Sequence, residues 1–142
     1  MPPELPLTTG PSAARAHRRG VAHLLSGAHE EAVASFREAI AEDPCFAVGH
    51  ASLAVALATL DDHRSASALD ALGNARRCSR QLSRRERHHV ELVLLTLEGR
   101  TGHAAALGQE HLSEFPDDEV AGYVLQRWCT AVAEPSDGQC VD

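Results

Sequence analysis

The chain has 142 residues and a mass of 15.2 kDa, the size of a single domain on a scale of about 100–200 residues per domain, which excludes a multidomain enzyme. Hydrophobic residues make up 44% and charged residues 23%, enough to bury a core, whereas 4% aromatic residues are too few for a surface that stacks nucleic-acid bases. The formal net charge is −7 and every basic residue is arginine, so chemistry that needs lysine, a Schiff base or a P-loop, is excluded.

In chain order, Pro2, Pro3, Pro6, Gly10 and Pro11 open a stretch without a basic residue before Arg15. It has neither the charged start nor the apolar block of a secretion signal. Residues 1–11 are read as a disordered leader, 12–133 as a helical domain and 134–142 as a disordered tail. No apolar run approaches the ~18 residues of a membrane span, and the expected compartment is the cytoplasm. From Ala13 to Ala133 apolar residues recur at helical spacing, with no convincing alternation for a strand. Breaks at Ser26-Gly27-Ala28, Glu42-Asp43-Pro44, Asp61-Asp62, Cys78 to Leu82, Gly99 to Gly102, Phe115-Pro116-Asp117 and Glu134-Pro135 leave seven segments of roughly 13 to 17 residues, ordinary helix lengths. The fold class is all-α. Ser12 is placed to cap the first helix, and Ser83-Arg84-Arg85-Glu86 has capping-box spacing, in which each side chain satisfies the other's orphan backbone N–H.

The breaks repeat. On the 34-residue tetratricopeptide pattern, Gly20, Ala32, Phe36, Ala39 and Pro44 occupy its small, small, aromatic, small and proline places, with Gly27 in the turn. Ala16, Arg19 and His23 stand where Trp, Leu and Tyr are usual. A degenerate second repeat, Ala47 to Arg80, keeps Ala54, Ala66 and Gly73 but has Asp70 at the aromatic place and Cys78 at the proline place. A third, from Arg85 to Asp118, keeps Gly99, Ala104 and Pro116, while Leu92, Gly108 and His111 depart. The spacing from Cys78 to Pro116 is one repeat plus four residues, the four being assigned to the arginine-rich connection near 79–84, and Glu119 to Ala133 reads as a helix closing the stack.

On these residues the chain resembles the tetratricopeptide-repeat superfamily over about 120 residues. More narrowly, Leu82-Ser83-Arg84-Arg85-Glu86-Arg87-His88-His89-Val90-Glu91, with Glu98-Gly99 and with His111-Leu112-Ser113-Glu114-Phe115-Pro116-Asp117-Asp118, resembles the tetratricopeptide repeat protein 38 family, of which this would be a short, standalone version. The resemblance implies a right-handed α-solenoid of about three helix hairpins plus a capping helix. It also assigns a concave groove to the first helix of each hairpin. Carried over, the partner-binding residues are His17, Val21, Leu24, Val48, Ala51, Val55, Glu86, His89 and Val93.

Nine histidines invite a metal or acid–base reading. Glu86 with His89, and His88 with Glu91, share helical faces at a spacing that can carry two ligands. Against this, His50 and His88 fall at the usual packing-Trp place. No H-E-x-x-H, phosphate loop or nucleophile elbow occurs, so no catalytic residue, metal or cofactor is assigned. Arg76, Arg77, Arg80, Arg84, Arg85 and Arg87 cluster against the single acid Glu86. This reads either as a patch for an acidic partner, with nucleic acid the weaker option, or as helix-end and ion-pairing residues. Cys45, Cys78, Cys129 and Cys140 form no C-x-x-C pair and are expected as free thiols, Cys45 and Cys78 separate rather than bridged. The function expected is a non-catalytic module binding a protein or peptide, monomeric or homodimeric. The competing expectation is a small-molecule or metal site, enzymatic in its strongest form, on the groove histidines.

Overall fold

The computed structural model describes residues 9–60, 66–78 and 82–129. Among them every regular element is helical: α1 (Pro11–Leu25), α2 (His29–Glu42), α3 (Ala47–Leu60), α4 (Ala66–Arg77), α5 (Arg84–Leu97), α6 (Thr101–Glu114) and α7 (Glu119–Val124), the last continuing as a π-helical turn over Leu125–Cys129. The expected all-α class therefore holds. The breaks at Asp61-Asp62 and Glu134-Pro135, and the disordered leader and tail up to residue 8 and beyond 129, lie outside the described residues. None of the described helices is long and apolar enough to cross a membrane.

The helix ends follow local chemistry. Ser83 caps α5 by the expected reciprocal box with Glu86, whereas α1 begins from Gly10 with Pro11 in its first turn and no side-chain cap. Ser12 is thus inside the helix. A proline needs no N–H donor partner in a first turn, so the preset ring starts the helix without a capping side chain. After α1, Gly27 N–H bonds to Leu24 O and Ala28 N–H to His23 O; after α5, Gly99 N–H bonds to Thr96 O and Arg100 N–H to Leu95 O. Both are Schellman closures, and both glycines have φ of +88°, which a β-carbon disfavours.

Consecutive helices pack in pairs: α1 on α2, α3 on α4, α5 on α6. Helix α3 is apolar on all sides and contacts α2, α4 and α5 as the central element, the behaviour of a helix without a solvent face. In the first pair Gly20 lies under Phe36, whose ring is fully buried; a β-carbon at Gly20 would fall 2.4 Å from the ring. The absence of a side chain there lets the two backbones approach and the ring fill the gap. Helix α7 contacts α1, α5 and α6, and Tyr123 Oη hydrogen-bonds His29 Nε2 at 3.3 Å, so the last helix also returns to the first pair.

Cys45 and Cys78 form a disulfide with Cα atoms 5.2 Å apart, which overturns the expectation that they stay separate. The physical reason is the path of the chain: α3 leads away and α4 returns, so the residues flanking the pair meet although 33 positions apart. Such pairs persist in oxidising compartments, which runs against the reasoning that tied free thiols to the cytoplasm. Cys129 is a buried thiol, and Cys140 lies outside the described residues.

Candidate functional site

A cleft of about 580 Å³ opens between α1 on one side and α5 with the start of α7 on the other. Ala14, Arg15, His17, Arg18, Val21 and Ala22 line it from α1, Val48 from α3, Arg85, Glu86 and His89 from α5, and Asp117, Asp118, Glu119 and Val120 from the turn into α7. Thr9 and Pro11 stand at its edge, with Thr9 Oγ1 donating to Asp43 Oδ2 at 2.5 Å.

Of the nine groove residues expected from the resemblance, His17, Val21, Val48, Glu86 and His89 line this cleft. Leu24, Ala51, Val55 and Val93 do not: each is 0–1% exposed and belongs to the hydrophobic core. Ala51 and Val55 sit deeper than a groove floor because α3 is covered by neighbours all round, and Leu24 of α1 and Val93 of α5 are buried in the same core.

Asp118 is the electrostatic centre of the site. It is 6% exposed, its Oδ2 accepts from His89 Nδ1 at 2.9 Å and from His111 Nε2 at 2.7 Å, and its Oδ1 accepts from the Ala121 backbone at 3.2 Å, capping α7. Burial opposes its charge, but the facing His89, the hydrogen bonds from both histidines and the Ala121 N–H outweigh it, and the carboxyl is held well below the usual carboxylate range. One carboxylate thereby joins α5, α6 and α7. The remaining ring nitrogens, Nε2 of His89 and Nδ1 of His111, are buried without a hydrogen-bond partner.

His17 lies on the opposite wall with its Nε2 hydrogen-bonded to Ser52 Oγ at 2.9 Å and its ring against Phe36 and Phe46 at 5.3 and 5.4 Å. Burial first, and then the charge of His89, lower its pKa to about 3, so it is a neutral polar group at ordinary pH. His50 donates from Nε2 to Pro44 O at 2.8 Å, tying α3 to the preceding turn, and the half-buried His88 packs on His111 with ring centroids 5.8 Å apart. Glu86 is turned into its capping box rather than toward His89 as a second ligand. Among the described residues no group of three His, Cys, Asp or Glu side chains is arranged to hold a metal ion.

The arginine cluster is knitted into its surroundings. Arg76 pairs with Glu98 at 3.0 Å, Arg84 with Glu114 at 3.1 Å, and Arg85 with Asp117 at 3.1 Å while lying over the Phe115 ring. Arg77 bonds Asn74 Oδ1, Arg87 donates to Leu82 O at 3.2 Å, and Arg80 lies outside the described residues. The ion-pairing account of the cluster therefore has partners for Arg76, Arg84 and Arg85. Sequence reasoning missed Asp118, His111, Arg15 and Arg18 as site residues. A signal for Asp118 existed, an acid two positions after Pro116 at a helix start, but nothing in the spacing linked it to His89.

Compared with protein-family models, with curated proteins and with solved structures, the chain matches none.

Proposed function

We propose that the protein is a non-catalytic interaction module of tetratricopeptide-like build, with three helix hairpins and a closing helix, that binds a segment of a partner protein in the cleft between α1 and α5–α7. The observation that carries this reading is the cleft itself: its walls come from α1, α3 and α5, the first helix of each pair, and from the start of the closing helix α7, and combine the apolar Val21, Val48 and Val120 with fixed polar groups, the composition expected of a site that orients a ligand. The matched turns at Gly27 and Gly99 and the Gly20–Phe36 fit support the repeat reading. They do so because they put the pattern's turn, small and aromatic residues to the structural use the pattern implies.

The test is capture and cross-linking mass spectrometry with wild type and Val21→Glu. Val21 is only partly buried and its replacement puts a charge on the apolar wall. The expected result is a partner cross-linked to cleft residues and lost from the variant; a partner held equally by both, or cross-linked only elsewhere, sinks the reading. A small molecule is the second reading, favoured by the buried, unpartnered His89 Nε2. Native mass spectrometry finding a bound compound that is lost in His89→Leu would support it over the first.

A further inference from the structure

We infer that the cleft selects a partner segment in which side-chain carboxylates are set among apolar residues, and that Arg15 and Arg18 of α1 recognise those carboxylates. The inference rests on the docking reading and adds the chemistry of the occupant.

Three of the acids that line the cleft are already engaged within the protein. Asp117 is paired with Arg85, Asp118 accepts from two histidines, and Glu86 serves the capping box. Arg19 is paired with Glu38 at 2.8 Å, on a part of α1 that does not line the cleft. Among the basic residues of the cleft Arg15 and Arg18 are the exception: both are exposed, both line the cleft, and neither has an ion pair or hydrogen bond among the described residues. Three positions apart on one helix, they stand on one face with Cβ atoms about 5–6 Å from each other.

The surroundings give these two groups a direction. Val21 follows on the same helix, with Val48 and Val120 supplying apolar surface in the same cleft, so an apolar side chain entering there brings its neighbours to the guanidinium groups. His17 beside them is neutral and adds no charge of its own. On the α7 wall Glu119 remains without an ion pair among the described residues, which repels a carboxylate there and directs it to the α1 side. In a chain of net charge −7, two guanidiniums without an ion pair among the described residues, beside an apolar trough, match a carboxylate, which accepts two parallel hydrogen bonds from such a fork.

The test uses the full chain and fluorescence anisotropy with acetylated and amidated leucine- and alanine-rich peptides of about twelve residues, long enough to cross a groove of this kind. One peptide carries two Glu three positions apart, the second Gln at the same places, the third Lys. The expected result is a Glu peptide bound about tenfold more tightly than its Gln counterpart at low salt, an advantage that shrinks as salt screens it, with the Lys peptide weakest. Arg15→Gln/Arg18→Gln, at two exposed positions, removes the advantage and leaves the Gln peptide's affinity unchanged. Equal binding of Glu and Gln peptides that Val21→Glu weakens alike overturns this inference and leaves the docking reading standing. Survival of the Glu advantage in the double variant overturns the assignment to Arg15 and Arg18, and absence of binding by every peptide to the folded protein overturns both readings.

Discussion

The first and third helix pairs share a backbone and differ in what fills it. Gly27 and Gly99 are 72 positions apart (99 − 27) and close identical turns; at the same offset Asp43 and Phe115 end the second helices, and Phe46 and Asp118 lead into α3 and α7 through matching N–H bonds of 3.1 Å to Asp43 O and Phe115 O. The side chains on this common frame are exchanged. Gly20 and Phe36 of the first pair correspond to Leu92 and Gly108 of the third, so the small and large residues have changed helices, and the space at Gly108 is taken by Leu125 from the π-helical turn, 2.6 Å from where a β-carbon would stand.

The same exchange occurs at the cleft. His17 and His89 hold equivalent positions, but His17 is packed against Phe46 and Phe36, whereas His89 meets Asp118, which stands in the register of Phe46, with His111 in the register of Ala39. Turn glycines and turn prolines determine where helices begin and end, while the contact between them tolerates any set of side chains that fills volume or satisfies its own polar groups. One pair achieves this with rings and the other with a carboxylate between two imidazoles.

Removing the polar solution should show the largest effect. Asp118→Ala leaves two imidazole N–H groups and the α7 N-terminus without their acceptor, and loss of one member of a buried charged cluster costs about 3–5 kcal/mol. Urea unfolding at pH 7 is the measurement, and a loss below ~1 kcal/mol would mean that the third pair is held by apolar contacts as the first is. The depressed Asp118 carboxyl contributes stability that is fully present above the ordinary carboxylate range, declines as pH falls below that range and is gone once pH has fallen through its folded value in strong acid.

Next in size is the cross-link that joins the first pair to the second and has no counterpart in the third. Cys45→Ser, or reductant added to wild type, should lower stability by about 2–4 kcal/mol, from release of the closed loop in the unfolded chain. Equal unfolding midpoints with and without reductant would show that the bond contributes nothing.

The buried His17 also predicts a pH response. The folded pKa of His17, lowered by burial to about 3, lies below its unfolded value near 6.5. The unfolded chain therefore binds the extra proton first, and this stability is complete above pH 6.5 and lost as pH falls from there toward 3. At pH 5 the loss is about 2 kcal/mol relative to pH 7, and His17→Phe should flatten that limb. An unchanged slope in the variant would place the titration elsewhere.

The smallest effect tests the shared frame. Gly27→Ala and Gly99→Ala should each cost about 1 kcal/mol, and by similar amounts, because both glycines have the same positive φ and neither β-carbon meets a neighbouring atom. A difference larger than the cost itself would mean the two turns are not equivalent in energy.

Much of the framework is legible in the sequence because its causes are local. The Ser83–Glu86 box, the glycine turns and the breaks around Pro44 and Pro116 depend on residues within a few positions of one another, and helical periodicity marks which faces turn inward. The start of α1 was misplaced because Pro11 and Ser12 are both good first-turn residues and only the backbone decides between them. Cleft residues were half legible: His17, Val21, Val48, Glu86 and His89 share the faces that the repeat pattern assigns to a groove, but the same rule took in Leu24, Ala51, Val55 and Val93 because periodicity gives direction without depth.

By itself, then, the sequence determined helix placement, turn geometry and the shared register of the first and third pairs, since these follow from short-range hydrogen bonding and backbone sterics. Tertiary structure alone decided that Cys45 meets Cys78, that one carboxylate at Asp118 serves His89 and His111, and that Arg15 and Arg18 have no ion pair among the described residues beside an apolar cleft while Arg76, Arg84 and Arg85 of the denser cluster are paired. Those outcomes depend on how helix pairs return and cross, which brings together residues whose separation along the chain carries no information about their distance in space.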